Sequence, residues 1–154
     1  MDMYFKKLNT FIQEHLVNCD HLFFEQSCHS VLEAAEAVGA DESDFVKNIC
    51  FLDASDHLVV AIVRGIDRVS STKLGKLLNL PRPRAAGPDE ILELTGYPCG
   101  GTPSFGFEAK FLIDLKVMEK SYVYTGGGSE KSLVKISPNL LLKLNKGEIV
   151  SIRK

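Results

Sequence analysis

Lys47-Asn48-Ile49-Cys50-Phe51-Leu52-Asp53-Ala54-Ser55-Asp56-His57-Leu58-Val59-Val60-Ala61-Ile62-Val63 is the stretch that decides the fold. Two apolar runs, Ile49 to Leu52 and Leu58 to Val63, flank a turn-forming segment, Asp53 to His57. Short apolar runs rich in β-branched residues, separated by turn residues, predict a buried β-hairpin with a five-residue connection. Upstream, Leu8, Phe11, Ile12, His15 and Leu16 recur at helical spacing and predict an amphipathic helix over 3–17. Ser30-x-x-Glu33 reads as a capping box opening a helix over 31–38, which Gly39 stops. Asp41 caps a short helix ending near Val46. Downstream, Ser70 or Ser71 caps a helix running through Leu78, which Pro81 and Pro83 end. Pro88 followed by Asp89 and Glu90 marks a helix to about Leu94, and Ser137-Pro138 opens a last helix over 138–145. Short strands are predicted at 110–113, 121–125, 132–136 and 148–152. Two hairpins and irregularly interleaved helices make this a mixed α+β sheet or barrel, not a regular βαβ series.

The 154 residues favour a single domain, with no linker long enough to divide it. Hydrophobic residues at 45% and charged residues at 25% exclude a disordered or collagen-like chain. No apolar run is long enough to span a membrane, and the N-terminus lacks the pattern of a secretory signal. A cytoplasmic protein is expected. The four cysteines, Cys19, Cys28, Cys50 and Cys99, contain no CxxC pair and are expected to be reduced. Cys19, His21, Cys28 and His29 offer soft ligands, but their spacing matches no usual zinc pattern, so no metal is expected.

A net charge of −2 argues against a general nucleic-acid binder, but the charge is uneven. Residues 64–84 hold Arg64, Arg68, Lys73, Lys76, Arg82 and Arg84 against Asp67 alone. This stretch is either a solvated face or a surface that meets a few phosphates. Lys47, between a short helix and a buried strand, is either a snorkelling side chain or a positioned cation. Gly100-Gly101-Thr102-Pro103-Ser104-Phe105-Gly106, preceded by Thr95-Gly96-Tyr97-Pro98, suits close backbone approach to a ligand, with N–H groups facing an oxyanion or phosphate. Thr125-Gly126-Gly127-Gly128-Ser129 lies between two strands and is not a P-loop. No GxSxG, HExxH or Rossmann motif occurs, and all four histidines precede residue 58. The residues alone define an α+β domain with two glycine loops, one notable lysine and a local basic stretch.

Taken in order, these pieces resemble the YbaK/ProX family of aminoacyl-tRNA deacylases, also found as the editing domain of some prolyl-tRNA synthetases. The resemblance runs from about Ser30 to Ile152. It rests on Leu32-Glu33-Ala34-Ala35-Glu36-Ala37-Val38-Gly39, Phe45-Val46-Lys47, Val60 to Val69, and Lys73-Leu74. It continues through Ala86-x-Pro88-Asp89-Glu90-Ile91, Thr95-Gly96-Tyr97, the Gly100–Gly106 loop, Asp114, Gly126-Gly127-Gly128-Ser129 and Ile136 to Leu141. It implies a mixed, mostly antiparallel β-barrel-like sheet flanked by helices, forming one domain over 1–154 with 1–29 as a helical lead-in. It also implies hydrolysis of the ester joining a wrong amino acid to tRNA.

The family lysine maps onto Lys47, and the family's Gly-x-x-x-Pro loop maps near Gly100 to Ser104. Here Pro103 comes three residues after Gly100 and Ser104 takes the usual proline place, a departure that bears on amino-acid specificity rather than on fold. Lys47 and Gly101 are thereby the expected catalytic residues. Gly100, Thr102, Pro103 and Ser104 with Gly126, Gly127 and Gly128 are the expected substrate contacts. The basic stretch would meet the tRNA. An aminoacyl ester is already activated and carries a neighbouring ribose hydroxyl, so positioning plus an oxyanion site suffices. In this reading the N–H groups of Gly101 and Thr102 face the oxyanion, and Lys47 holds the terminal phosphate or the ester carbonyl. Small side chains (Ala, Ser, Thr, Cys) are the natural targets, because binding alone discriminates poorly among them. The implied partners are the acceptor end of aminoacyl-tRNA and an aminoacyl-tRNA synthetase, with no membrane, no DNA and no cofactor. The other reading is a non-catalytic module binding a nucleotide, an amino acid or a protein in the same pocket. A pocket filled by Phe105 or Tyr97 favours that module; an open polar pocket beside Lys47 favours the enzyme.

Overall fold

The structure, a computed structural model, describes residues 1–154. In chain order the elements are α1 (Met3–Glu14), β1 (Asp20–Phe23), α2 (Val31–Val38), β2 (Val46–Leu52) and β3 (Leu58–Arg64). Then come α3 (Ser71–Leu78), β4 (Arg84–Ala85), α4 (Pro88–Thr95), β5 (Lys110–Asp114), β6 (Val123–Gly126), β7 (Ser132–Ile136), α5 (Pro138–Asn145) and β8 (Glu148–Val150). No helix is long and apolar enough to cross a membrane.

The deciding stretch forms the antiparallel pair β2–β3, with Leu52 opposite Leu58 across the five-residue turn. β3 is the middle strand of a five-stranded sheet, order β4-β2-β3-β5-β8. That place explains its unbroken apolar run, since both faces are covered. Leu58, Val60 and Ile62 face the larger core, with Leu8, Phe105, Val134 and Leu141. Val59, Ala61 and Val63 face a second core with Leu74 of α3 and Ile152. β5 and β8 join in parallel register, whereas β2–β3 and β2–β4 are antiparallel. β1, β7 and β6 make a second, wholly antiparallel sheet.

The α+β class and the predominance of antiparallel pairing agree with expectation, but the sheets do not close into a barrel. A parallel bridge between Phe45 and Tyr124 joins them at the start of β2. The 1–29 segment is not purely helical, because Asp20–Phe23 pairs with Ser132–Lys135 as a strand. The helix predicted from Asp41 is a single 3-10 turn, Glu42–Asp44. The last strand stops at Val150, where Asp114 takes over: its buried carboxylate accepts from the N–H groups of Ile152 and Arg153 and from Arg153 Nε.

Three predicted serine caps are present. Ser30, Ser70 and Ser137 accept from the N–H groups of Glu33, Lys73 and Leu140, satisfying donors that a helix start would leave unpaired. These caps set where α2, α3 and α5 begin.

Candidate functional site

β2 has β3 along one edge for its whole length, but β4 covers its other edge only at Phe51 and Leu52. The stretch Val46–Ile49 therefore keeps an open edge at the seam between the sheets. A pocket of about 190 Å3 lies there, walled by that edge, the start of α2, the Gly100–Thr102 loop and the end of β6. A larger depression of about 750 Å3, by the β2–β3 turn and residues 107–111, contains none of the predicted site residues.

Lys47 lines the pocket, half-buried, with no carboxylate within ion-pairing distance. No Asp or Glu belongs to the wall. An unpaired cation in a concave site without acid groups favours an electron-rich ligand such as a phosphate or a carbonyl oxygen.

Next to it, Asn48 is the structural hub. Its Nδ2 donates to Thr102 O (3.0 Å) and to Thr125 Oγ1 (3.0 Å), and its Oδ1 accepts from Ser104 Oγ (2.6 Å). Thr102 O can only accept, which fixes the orientation of the amide. Ser104 and Thr125 hydroxyls lie 2.7 Å apart. The Ser104 hydrogen goes to Asn48, so Thr125 donates to Ser104 and the three side chains close a ring of hydrogen bonds. Ser104 and Thr125 are fully buried. The ring ties β2, the glycine loop and β6 together, with Asn48 and Thr125 in the pocket wall and Ser104 behind it.

The expected substrate contacts divide. Gly100, Thr102 and Gly126 line the pocket, whereas Pro103, Ser104, Gly127 and Gly128 do not. The latter two fasten the β6–β7 turn: Gly127 O accepts from His21 Nε2 (2.7 Å), and Gly128 N–H donates to Gly101 O (2.8 Å). Gly126 must be glycine because a Cβ there would strike the backbone carbonyl of Thr102. Gly101 is outside the pocket wall, and its N–H donates to Pro98 O (3.0 Å). The amides of Gly100 and Thr102 donate to nothing within the protein. They, and not Gly101, are the spare donors of the loop.

The basic stretch also divides. Arg64 pairs with Asp67 (2.7 Å), Arg84 pairs with Glu90 (2.9 Å), and Lys73 donates to Arg153 O. Arg68, Lys76 and Arg82 are exposed and unpaired. None of the six lines the pocket.

Asn48 and His29 are site residues that sequence reasoning does not assign to the pocket. Asn is depleted in strands, so Asn48 at the head of an apolar run is a usable signal. His29 carries none. It reaches the pocket by packing against Gly100, whose φ of +91° and missing Cβ leave room for the ring. His29 Nδ1 is 3.6 Å from Glu130. His21, considered with it as a metal ligand, instead bonds Asn9 and Gly127 in another contact set.

A fold of two bridged sheets with a lysine-bearing pocket between two glycine loops defines a class of protein, and comparison with known sequences specifies it. The aminoacyl-tRNA editing domain model matches residues 25–144, and the chain belongs to that family. The uncharacterised protein YwhH of Bacillus subtilis is 27% identical over 120 residues, 77% of this chain and 76% of that protein. The proline–tRNA ligase of Geotalea daltonii is 31% identical over 101 residues, which are 66% of this chain and 18% of the ligase. The crystal structure of hypothetical protein APE2540 superposes with a TM-score of 0.88 at 27% identity, covering 96% of this chain and 99% of the other. That of a candidate trans-editing enzyme for prolyl tRNA synthetase has a TM-score of 0.91 at 24% identity, covering 100% and 99%, and shares the fold.

Proposed function

We infer that this chain hydrolyses the ester of mischarged aminoacyl-tRNA carrying a small amino acid, acting in trans as one domain over residues 1–154. The observation that carries this reading is Lys47, an unpaired cation in an acid-free pocket beside two undonated loop amides. Tyr97 and Phe105, which could have filled the pocket, are instead buried in the larger core and absent from its wall. A pocket of about 190 Å3 is below the range usual for drug-sized ligands and suits a small side chain with its ester. An aminoacyl-tRNA substrate implies work in the cytoplasm.

In this mechanism the acceptor end enters at the seam. Lys47 meets the terminal phosphate or the ester carbonyl and contributes charge, not a nucleophile. Gly100 and Thr102 N–H groups stabilise the oxyanion as the carbonyl becomes tetrahedral. Water attacks, the carbonyl carbon–oxygen ester bond breaks, and the ribose hydroxyl and free amino acid leave. Arg68, Lys76 and Arg82 meet backbone phosphates further along the acceptor stem.

The test is release of labelled amino acid from Ala-, Ser-, Cys- and Thr-tRNA by wild type and Lys47→Ala. Hydrolysis of one or two esters, reduced about 100-fold in the variant, is the expected result. Full activity in Lys47→Ala would remove the lysine's role. A folded wild type that hydrolyses no ester would leave a binding module. For the tRNA surface, Lys76→Glu with Arg82→Glu should raise KM and flatten its salt dependence, by roughly 0.7–0.9 in log–log slope for each phosphate no longer neutralised.

A further inference from the structure

We propose that His29 is the proton carrier of the hydrolytic step, oriented by Glu130; this rests on the deacylase reading above. Ester hydrolysis by water goes faster still where a group takes a proton from the attacking oxygen and returns one to the leaving alkoxide. Lys47 serves this reading as a charge and not as a proton carrier. Burial pushes the Cys28 thiol up, and nearby Glu33 pushes it further, so it stays a thiol. Cys99 brings a thiol and Tyr124 a phenol to the wall. His29 is the pocket's one side chain of a type that gains and loses a proton near pH 7.

Its placement is built from three elements. The ring abuts Gly100, directly beside the undonated loop amide. Glu130 of the β6–β7 turn faces Nδ1 at 3.6 Å, and both side chains are about half exposed, at 51% and 54%. The backbone of Cys28 donates to Glu130 O at 2.6 Å, which fixes the histidine segment to the glutamate turn. The charged and titratable groups around the pocket are Glu130 from that turn, Cys28 on the histidine's own segment with Glu33 of α2 near it, Cys99 beside Gly100, Lys47 on β2 and Tyr124 on β6. A carboxylate behind an imidazole holds the ring and stabilises its charged form, and such contacts commonly tighten only when substrate is bound.

In the step, neutral His29 takes a proton from water as the oxygen bonds to the carbonyl carbon. The ester bond to the ribose then breaks, and the imidazolium returns its proton to the ribose oxygen. No other reactant is required.

The experiment uses the full chain and whichever ester of the Ala, Ser, Cys and Thr panel the wild type hydrolyses fastest. Wild-type kcat should show an acid limb, falling where the ring is protonated and levelling off above it. His29→Gln should lower kcat by about 100-fold or more with KM nearly unchanged, and remove that limb. Glu130→Gln should lower kcat by a smaller factor. Added imidazole should restore part of the rate to His29→Gly, which a merely packed or latching histidine would not allow. An active wild type with His29→Gln retaining its kcat and pH limb would overturn the proposal while leaving the deacylase reading intact. A change in KM alone, or no imidazole rescue, would also overturn it. A folded wild type inert on every ester would overturn the deacylase reading and this proposal together.

Discussion

Replacing Ser104 by alanine is the sharpest test of how this pocket is held. The hydroxyl is fully buried and serves two partners. It donates to Asn48 Oδ1 at 2.6 Å and accepts from Thr125 Oγ1 at 2.7 Å. No other protein donor reaches Asn48 Oδ1, and the Thr125 hydroxyl hydrogen has no other acceptor. The substitution thus strands one acceptor and one donor around the buried Ser104 position. Each stranded group costs about 1–3 kcal/mol, so a loss of about 2–4 kcal/mol is expected. For a chain of this length that is a fall in Tm of about 5–15 °C. Urea unfolding of the wild type, Ser104→Ala, Thr125→Val and the double variant gives the coupling directly. Because both single variants break one ring, the double variant should be destabilised clearly less than the sum of the two. Additive effects, or a Ser104→Ala destabilisation below about 0.5 kcal/mol, would refute the closed ring. In a deacylase assay the same variant should have a lower kcat as well, since Thr102 O hangs from the same Asn48 amide.

Gly126→Ala should be poorly folded, because its Cβ would meet the Thr102 backbone carbonyl, which cannot swing away; soluble yield and Tm check this. Asp114→Ala should cost about 3–5 kcal/mol in urea unfolding, by leaving the Arg153 guanidinium and the Ile152 and Arg153 amides without their carboxylate. His21 should make stability pH-dependent. Burial pulls its pKa below the ordinary 6.5, with the Gly127 carbonyl opposing. The neutral ring fits, since Nε2–H donates to Gly127 O while Nδ1 accepts from Asn9. The unfolded chain binds the proton first, so stability is full above about pH 6.5 and falls as the pH drops from there towards the lower folded value. Unfolding midpoints from about pH 7.5 to about pH 5 should show this slope in the wild type and a weaker one in His21→Gln; equal slopes would remove His21 as its source.

Much of the architecture is legible residue by residue. Ser30, Ser70 and Ser137 announce α2, α3 and α5 because a cap is a contact between residues three apart. The runs at 49–52 and 58–63 announce a hairpin because burial on both faces leaves no polar alternation. β1 is invisible in this way: Asp20–Phe23 is short and half-buried, and only its pairing with β7, over a hundred residues away, makes it a strand. The same holds for Arg84–Ala85, which is extended only where it meets Phe51 and Leu52.

For the site, residue types in local order suffice to pick out the lysine, the two glycine loops and the family they belong to. What each glycine is for emerges only from the packed chain. Gly100, Thr102 and Gly126 reach the pocket, while Gly101 and Gly128 bond each other across the loops and Gly127 is spent on Ser132 and His21. Packing likewise makes Asn48, Ser104 and Thr125 close one ring, stands His29 over Gly100, and leaves only Arg68, Lys76 and Arg82 of the basic stretch free. The physical reason is common to all of these. Whether a polar group is spare or spent depends on partners brought together by sheet pairing across tens of residues, and no local spacing records them.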